Sequence, residues 1–283
     1  MSDPNHPADS GQSLRSLFAA QGGVHAVFSG KVADYVASRP DYPAALFDAL
    51  QAHCGLRPGA RVADVGSGTG LLSLGLLRRG WEVVGVEPNA AMRAAAEQIL
   101  SGHATHRCVD GSAESMPLAD ASVDLVTAAQ AFHWFEVDAA RNECLRVRKP
   151  GGQVALIWND RRTEDVLHEA LDEVFAAFGG AKRAALLPHE ERAEVPRFFG
   201  GAPVREWRWP HEHRLGAAEL VSLVFSRSYM PARDSPAGRE AARLVQRLFE
   251  RLAQCDAIAV RYTTVAMVGR PAPSAVSSKQ PLS

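Results

Sequence analysis

The stretch Val62-Ala-Asp64-Val-Gly66-Ser-Gly68-Thr-Gly70 joins a short apolar run to three glycines placed at every second position. The run from Val62 to Val65 is typical of a buried strand, and the residues from Leu71 to Arg79 predict a helix after the glycines. Glycines let a ligand come against the main chain, and the N–H groups at a helix start favour a polar or anionic group. The stretch therefore predicts a strand, a ligand-binding turn and a helix, a pattern that several nucleotide-binding folds share.

The composition of the chain is that of a globular protein. Apolar residues make up 46% of the 283 positions, and 31 basic residues face 32 acidic ones, a formal charge of −1. No basic excess attracts nucleic acid, and no apolar run approaches the roughly 20 residues of a membrane-spanning helix. Four scattered cysteines indicate reduced thiols. We expect a cytoplasmic monomer or homodimer that binds neither nucleic acid nor membrane.

Two helices are predicted before the glycine turn. The first contains Tyr35 and ends at Arg39-Pro40, and the second runs from Pro43 to about His53. These helices either cover the edge of a sheet or bring Tyr35 and Arg39 over a bound ligand. The pattern alone leaves both interpretations open.

A second strand, from Trp81 to Glu87, ends in an acidic residue, and Asn89 is a predicted cap for a helix to about Leu100. Glu87 follows Gly66 by 21 residues. A carboxylate about 20 residues after a glycine turn, at the tip of the second strand, is placed to accept hydrogen bonds from ribose hydroxyls. The alternative is a solvated loop acid. We favour the ribose interpretation, which predicts an adenosine-type ligand.

Strand and helix patterns alternate as far as Asn159. The further elements are a third strand from Thr105 to Val109, a fourth from Ser122 to Ala128, a helix from Val137 to Val147 and a fifth strand from Gln153 to Asn159. This alternation predicts a doubly wound α/β sheet, in which ligands bind at the carboxyl ends of the strands. The loops after the third and fourth strands should therefore join Glu87 around the same site.

Four motifs resemble, in order, those of the class I S-adenosylmethionine-dependent methyltransferases: D-V-G-S-G-T-G at Asp64 to Gly70, the acid Glu87, G-S-A-E at Gly111 to Glu114, and K-P-G-G at Lys149 to Gly152. The resemblance covers roughly residues 28 to 162. It implies a seven-stranded, mostly parallel sheet and S-adenosylmethionine as the cofactor.

Two further motifs resemble the small-molecule branch of that superfamily that includes trans-aconitate-type methyltransferases. They are Y-x-x-x-R-P-x-Y-P at Tyr35 to Pro43 and A-Q-A-F-H-W-F at Ala129 to Phe135. The resemblance implies methyl transfer to an oxygen or nitrogen of a small-molecule acceptor by in-line displacement.

The resemblance also implies a set of cofactor contacts: Tyr35, Arg39, Asp64, Gly66, Ser67, Gly68, Gly70, Glu87, Pro88, Met92, Ser112, Ala113, Glu114 and Gln130. The glycines would hold the methionine part, with Asp64 supporting the turn. Met92 would pack on adenine, and Gln130 would lie beside the methionine carboxylate or sulfonium. Many relatives carry an aspartate in place of Ser112, so Asp110 is a further candidate for the adenine contact.

His133 is the candidate catalytic base. A carboxylate acceptor is already ionised at neutral pH, whereas a phenol or hydroxyl needs a base to remove its proton. The alternative is a structural histidine under an aromatic lid. Of the neighbouring aromatic residues, we expect Trp134 to face the acceptor, with Phe132 and Phe135 as either core or pocket wall.

The chain beyond Asn159 predicts three helices, Glu164 to Phe178, Gly216 to Ser226 and Gly238 to Gln254, and two strands, Val204 to Trp209 and Ile258 to Val268. By the resemblance, these are the antiparallel sixth and seventh strands with C-terminal cap helices that select the acceptor. Candidate substrate contacts are Trp134, Trp158, Asn159, Arg227 and Tyr229, with Arg161 beside them. No metal site is expected, because His211-Glu-His213, in an exposed-looking loop, lacks a third ligand.

The predicted domain organisation is a flexible arm at 1–24, a cofactor-binding core at 25–160, sheet completion and substrate cap at 161–269 of the same domain, and a disordered tail at 270–283. Two other functions remain open. A nicotinamide-dependent oxidoreductase shares the turn and the acid, but its fingerprint is G-x-G-x-x-G rather than G-x-G-x-G. A protein that binds S-adenosylmethionine without transferring methyl has the same sequence signals.

Overall fold

The computed structural model describes residues 29–187 and 192–273, so the predicted arm at 1–24 and the end of the predicted tail lie outside the described residues. The strands are β1 Arg61–Val65, β2 Glu82–Val86, β3 His106–Val109, β4 Val123–Ala129, β5 Arg148–Arg161, β6 Val204–Leu215 and β7 Ile258–Gly269. The helices are α1 Val32–Ser38, α2 Ala44–Cys54, α3 Leu71–Leu77, α4 Ala90–Ile99, α5 Val137–Val147, α6 Val166–Leu186, α7 Val195–Phe198, α8 Ala217–Phe225 and α9 Pro236–Leu252.

The described strands form a seven-stranded sheet in the order β3-β2-β1-β4-β5-β7-β6. Strands β1 to β5 are parallel, and β7 runs antiparallel to β5. The predicted doubly wound, mostly parallel α/β sheet is confirmed. Both late strands were expected to run antiparallel to the first five, and this is correct for β7. Strand β6 is antiparallel only to β7, so it runs in the same direction as β5.

Both faces of the sheet are covered, which explains why β1 and β2 are buried at every position after the first. On one face lie Leu46 and Leu50 of α2 with Leu76 of α3. On the other face lie Ala140 and Cys144 of α5. A third cluster joins α6, α8 and α9 to the end of the sheet at Leu215 and Tyr262. The C-terminal helices therefore form a cap over the end of the sheet, as predicted.

Three elements extend beyond their predicted bounds. Strand β5 begins at Arg148 instead of Gln153, because Arg148 pairs with Val123 of β4 and the K-P-G-G turn forms an irregularity before Gln153 pairs with Leu125. Strand β6 continues through Pro210, which is tolerated because β6 is an edge strand and needs fewer N–H donors. Helix α6 continues past Phe178 and is kinked at Gly180, whose φ is 53°.

His211 and His213 consequently lie within β6 and not in the exposed loop predicted for them. Both are partly buried, and this burial lowers the pKa of each imidazole. Among the described residues, no group of three His, Cys, Asp or Glu side chains is arranged to hold a metal ion. No helix within 29–187 or 192–273 is long and apolar enough to cross a membrane.

Candidate active site

The glycine turn after β1 lies against a cavity through two of its three glycines. Gly66 and Gly68 line the cavity, with φ values of 66° and 57°. A Cβ on Gly66 would lie 2.6 Å from the Ala131 side chain, and a Cβ on Gly68 would project into open space. The turn therefore presents main chain, rather than side chains, to anything bound beside it.

Three predicted cofactor contacts lie elsewhere. A Cβ on Gly70 would lie 2.6 Å from Leu100, so this glycine allows α4 to pack against the turn. The Ser67 hydroxyl is buried against Gly85 of β2. Neither residue lines the cavity, and neither does Asp64. Gly70 and Ser67 pack against neighbouring elements, and their contact with the cofactor stays a prediction. Asp64 lies behind the turn, where the resemblance placed it as a support.

Asp64 sits behind the turn with 1% of its surface exposed. Its carboxylate accepts hydrogen bonds from the Ser73 hydroxyl, at 2.7 Å, and the Thr127 hydroxyl, at 2.9 Å. Burial raises the pKa of Asp64 to about 6, although both hydroxyls favour its charged form. Through these hydrogen bonds Asp64 links β1 to α3 and to β4, and the links hold the glycine turn in place.

Glu87, immediately after β2, has its carboxylate on the wall of the cavity. One oxygen accepts the Gly68 N–H at 3.0 Å, and the other accepts the Asn89 N–H at 2.8 Å. Asn89 caps α4 as predicted, since its side chain accepts the N–H groups of Ala91 and Met92. The main-chain N–H groups of Gly68 and Asn89 hold the Glu87 carboxylate in one orientation on the cavity wall.

The cavity has a volume of about 460 Å³, within the range typical of small-molecule sites. It brings together most of the predicted site residues: Tyr35, Arg39, Gly66, Gly68, Glu87, Pro88, Met92, Ser112, Ala113, Glu114, Gln130, His133, Trp134, Arg227 and Tyr229. Sequence reasoning missed other lining residues, namely Asn89, Ala129, Ala131, Leu186, Ser226 and Ser228. Ser226 and Ser228 flank the predicted Arg227, so their position in the sequence was the one signal that could have identified them as lining residues.

Helices α1 and α8 meet over this cavity. The Arg39 guanidinium stacks on Tyr35, 4.6 Å from the ring centroid, and donates to the Ser226 carbonyl at 3.3 Å. The Lys31 ammonium donates to the Phe225 carbonyl at 2.8 Å. Burial lowers the pKa of Arg39 and also lowers that of Lys31, to about 8. The N-terminal helix is thus held by the C-terminal end of a cap helix.

The aromatic run after β4 divides as expected. Trp134 lines the cavity, with its ring centroid 4.8 Å from that of His133. Phe132 packs edge-on against Phe135, Trp158 and other core rings. Phe135 is buried in the core and also reaches the cavity wall. Burial of these rings therefore fixes the short helical turn that carries His133.

A second cavity, of about 370 Å³, adjoins the first at the end of β5. Trp158, Asn159 and Arg161 line it, as do other predicted substrate contacts, Arg227 and Tyr229. Asn159 is held from three sides. Its side chain accepts from Thr264 at 2.6 Å and donates to the Pro40 carbonyl at 3.4 Å, while its carbonyl accepts from Gln130 at 3.0 Å.

Comparison with known proteins identifies the family. Residues 63–156 match the family model described as a methyltransferase domain. An uncharacterized methyltransferase of Mycobacterium tuberculosis is 33% identical over 247 residues, which cover 84% of this chain and 93% of the relative. This chain belongs to the methyltransferase family.

Two more comparisons cover this methyltransferase nearly end to end. A methyltransferase-like protein of Schizosaccharomyces pombe is 28% identical over 87% of this chain and 96% of its own length. A solved structure from Anaeromyxobacter dehalogenans, assigned as a methyltransferase, superposes with a TM-score of 0.59 at 26% identity, covering 83% of this chain and all but 1% of that one. The class I S-adenosylmethionine-dependent fold is therefore confirmed, whereas the trans-aconitate-type branch stays a prediction.

Proposed function

We propose that this methyltransferase transfers the methyl group of S-adenosylmethionine to an oxygen or nitrogen of a small-molecule acceptor. The observation that carries the proposal is Glu87, whose carboxylate is fixed by main-chain N–H groups on a cavity wall beside Gly66 and Gly68. The ribose hydroxyls need an oriented carboxylate as acceptor, and the methionine part of the cofactor needs a stretch of main chain with no side chains in its way. The residues present fit this cofactor.

In the proposed complex, Glu87 accepts hydrogen bonds from both ribose hydroxyls. Met92, which is 4% exposed on the cavity wall, packs on adenine, and the loop of Ser112 to Glu114 faces the adenine edge. The expectation that Glu114 or Ser112 receives the exocyclic amine, with Asp110 as the further candidate, remains a prediction. The Glu114 carboxylate already accepts the Glu136 N–H at 2.8 Å, which fixes its orientation. Tyr35 and Arg39 close the cavity from the N-terminal side.

Bound S-adenosylmethionine supplies a methyl group on a positively charged sulfur, which departs to a nucleophile in line with it. Catalysis then depends mainly on position. Gln130 and His133 lie where the two cavities meet, so an acceptor in the second cavity reaches the cofactor past these two side chains. His133 accepts the proton of a hydroxyl or phenol acceptor. For a carboxylate acceptor it has only a positioning role.

The proposal is tested by calorimetric titration with S-adenosylhomocysteine and, separately, with NAD. We expect S-adenosylhomocysteine alone to bind. The Glu87→Ala variant should bind it at least about tenfold more weakly, because two hydrogen bonds to a charged acceptor are lost. Glu82→Ala is the matched control, since Glu82 begins the same strand, β2, and its side chain is 49% exposed and paired with Arg61.

Binding of NAD by the wild type, or equal loss in both variants, would contradict the proposal. Cofactor binding does not separate a transferase from a protein that only holds the cofactor. That distinction is made by transfer of a labelled methyl group to hydroxy, phenolic, amino and carboxylic acceptors. A protein that binds S-adenosylhomocysteine and labels none of these classes would not be a small-molecule transferase.

A further inference from the structure

The side chain of Asn159 is committed to contacts within the protein, although this residue lines the second cavity. It is 9% exposed, and the two polar atoms of its side chain have different partners. Pro40 offers a carbonyl, which can only accept, so the amide nitrogen of Asn159 faces Pro40 at 3.4 Å. The amide oxygen therefore faces the Thr264 hydroxyl, at 2.6 Å. The two neighbours fix the orientation of this amide.

Thr264 holds Asn159 from the adjacent strand. It lies in β7, opposite Asn159 in the register of β5 and β7, is fully buried, and lines neither of the two cavities. The Asn159 amide oxygen can only accept, so the proton of the Thr264 hydroxyl is donated to it. Nδ1 of His211, in β6, lies 3.3 Å from the same hydroxyl oxygen and is the donor in that contact. The single hydroxyl proton of Thr264 is thus used to orient Asn159.

Gln130 is held by Asn159 through the main chain. Its φ is 55°, in the left-handed region that is unfavourable for residues other than glycine, and this turn ends the pairing of β4 with β5. The Gln130 N–H donates to the Ile157 carbonyl at 2.9 Å, and its side-chain amide donates to the Asn159 carbonyl at 3.0 Å. In a parallel pair the main chain would supply that second donor two residues later. The side chain of Gln130 takes the place of this donor and secures the turn.

Asn159 therefore joins two walls of the cavity beside the glycine turn. Through its side chain it holds Pro40, which directly follows Arg39, a residue of the first wall. Through its main-chain carbonyl it holds the Gln130 turn, which leads to His133 in the second wall. The first wall precedes the glycine turn in the chain and the second follows β4. A contact shared by both walls fixes one relative to the other.

We propose that Asn159 is a positioning residue for methyl transfer, and that Thr264 orients it so that Arg39 is held against the Gln130 turn in the arrangement that binds S-adenosylmethionine. This inference rests on the proposed function. It gives a role within the protein to Asn159, which the sequence predicted as a substrate contact, and it adds Thr264, which lines neither cavity. Asn159 and Thr264 lie 105 positions apart, so the pairing of β5 with β7 creates the contact.

The Thr264 hydroxyl is tested by calorimetric titration with S-adenosylhomocysteine. Thr264→Val keeps the branched shape, which strands favour, and removes the donor, so the buried Asn159 oxygen loses its partner. We expect this variant to bind S-adenosylhomocysteine about fivefold more weakly than the wild type does. Thr264→Ala removes the hydroxyl together with the methyl group and should bind as weakly as Thr264→Val.

Thr264→Ser is the conservative variant that should restore binding. It keeps the hydroxyl and loses a methyl group, so the small cavity that remains should lower its midpoint of thermal unfolding. Its affinity for S-adenosylhomocysteine should nevertheless stay within about twofold of the wild type, since the donor to Asn159 is retained. A role in stability alone predicts the opposite, namely that affinity follows the midpoint in all three variants.

Hydrogen exchange without ligand shows whether the effect is local. In Thr264→Val the amides of residues 41–42 should exchange about fivefold faster, because the side chain of Asn159 no longer secures Pro40. The amides of residues 131–135 should exchange as in the wild type, because the Gln130 turn is held by a main-chain carbonyl.

Thr263→Val is the matched control for both measurements. Thr263 is the preceding residue of β7 and its side chain lies on the opposite face of the sheet, away from Asn159. The substitution is the same in kind, a hydroxyl exchanged for a methyl group in the same strand. We therefore expect wild-type affinity for S-adenosylhomocysteine and wild-type exchange in residues 41–42.

The inference is overturned if Thr264→Val binds S-adenosylhomocysteine as tightly as the wild type, or if Thr264→Ser loses as much affinity as Thr264→Val. It is also overturned if Thr263→Val weakens binding equally, or if exchange rises to the same extent in residues 131–135 as in 41–42. In each of these cases a wild type that binds S-adenosylhomocysteine retains the proposed function. A wild type that does not bind S-adenosylhomocysteine overturns the proposed function, and this inference with it.

Discussion

The carboxyl group of Asp64 gives the glycine turn a measurable dependence on pH. Its pKa is raised to about 6 by burial, whereas an unfolded chain has an aspartate pKa of about 3.9. Between these pH values the folded state binds more protons than the unfolded state does. The free energy of unfolding of the protein therefore falls as pH rises from about 4 to 6. In Asp64→Asn this fall should be smaller, by on the order of 3 kcal/mol, because about two pKa units are removed.

Urea unfolding of wild type and Asp64→Asn at pH 4 and pH 7 measures the difference. Asp48→Asn is the control, since the Asp48 side chain is 63% exposed. If the free-energy gap between wild type and Asp64→Asn is equal at both pH values, the carboxyl is not titrating in this window.

The proposed role of His133 depends on the acceptor. If it removes the proton of a hydroxyl or phenol, His133→Gln should lower turnover on such an acceptor by about 100-fold or more. On a carboxylate acceptor the loss should stay below about tenfold, since no proton has to leave. Initial rates with labelled cofactor decide this, with S-adenosylhomocysteine affinity as the control for folding. Full turnover on a hydroxyl acceptor would leave His133 a structural residue.

At the scale of elements, α3 packs on α2 at a glycine. A Cβ on Gly75 would lie 2.0 Å from the Phe47 ring, although alanine is the better helix former. We therefore expect Gly75→Ala to lower the free energy of unfolding by about 2 kcal/mol through overpacking. Gly102→Ala is the control, because nothing lies within 4 Å of its Cβ position.

The double variant Phe47→Leu with Gly75→Ala should recover part of that loss, as the smaller side chain makes room. Denaturant unfolding of the wild type, Phe47→Leu, Gly75→Ala and the double variant measures the coupling between positions 47 and 75. If the losses of the two single variants simply add in the double variant, the contact between α2 and α3 is not the reason that position 75 requires a glycine.

At the scale of the whole molecule, the cavity beside the glycine turn is closed by elements from both the N-terminal and the C-terminal parts of the chain. Arg39, immediately after α1, donates a hydrogen bond to the Ser226 carbonyl after α8, and both residues line the cavity. S-adenosylhomocysteine should therefore slow amide hydrogen exchange in residues 32–39 and 220–230, where binding opposes opening. Helix α9, which lines neither cavity, is the internal control. Equal protection in α9 would indicate global stabilisation instead of closure.

Sequence patterns placed the elements around the glycine turn. The turn, Glu87 and the cap Asn89 belong to one strand–helix–strand unit, in which Glu87 accepts the Gly68 N–H from 19 positions away, so spacing was enough to place them. The same reasoning did not predict which neighbours pack against the turn. Gly70 and Ser67 follow the motif, but Leu100 and Gly85 occupy the space beside them. Strand β6 passes Pro210 because the sheet leaves it an edge position.

The sequence by itself therefore determined the alternating α/β order, the seven-stranded sheet through its family motifs, and most of the residues that line the cavity beside the glycine turn. Only the tertiary structure decided which arginines share a site. Arg39, Arg161 and Arg227 are far apart in the chain, and no sequence motif links them to one another. They come together because β5 pairs with β7 and α1 packs on α8, and buried charge depends on spatial neighbours that no local pattern records.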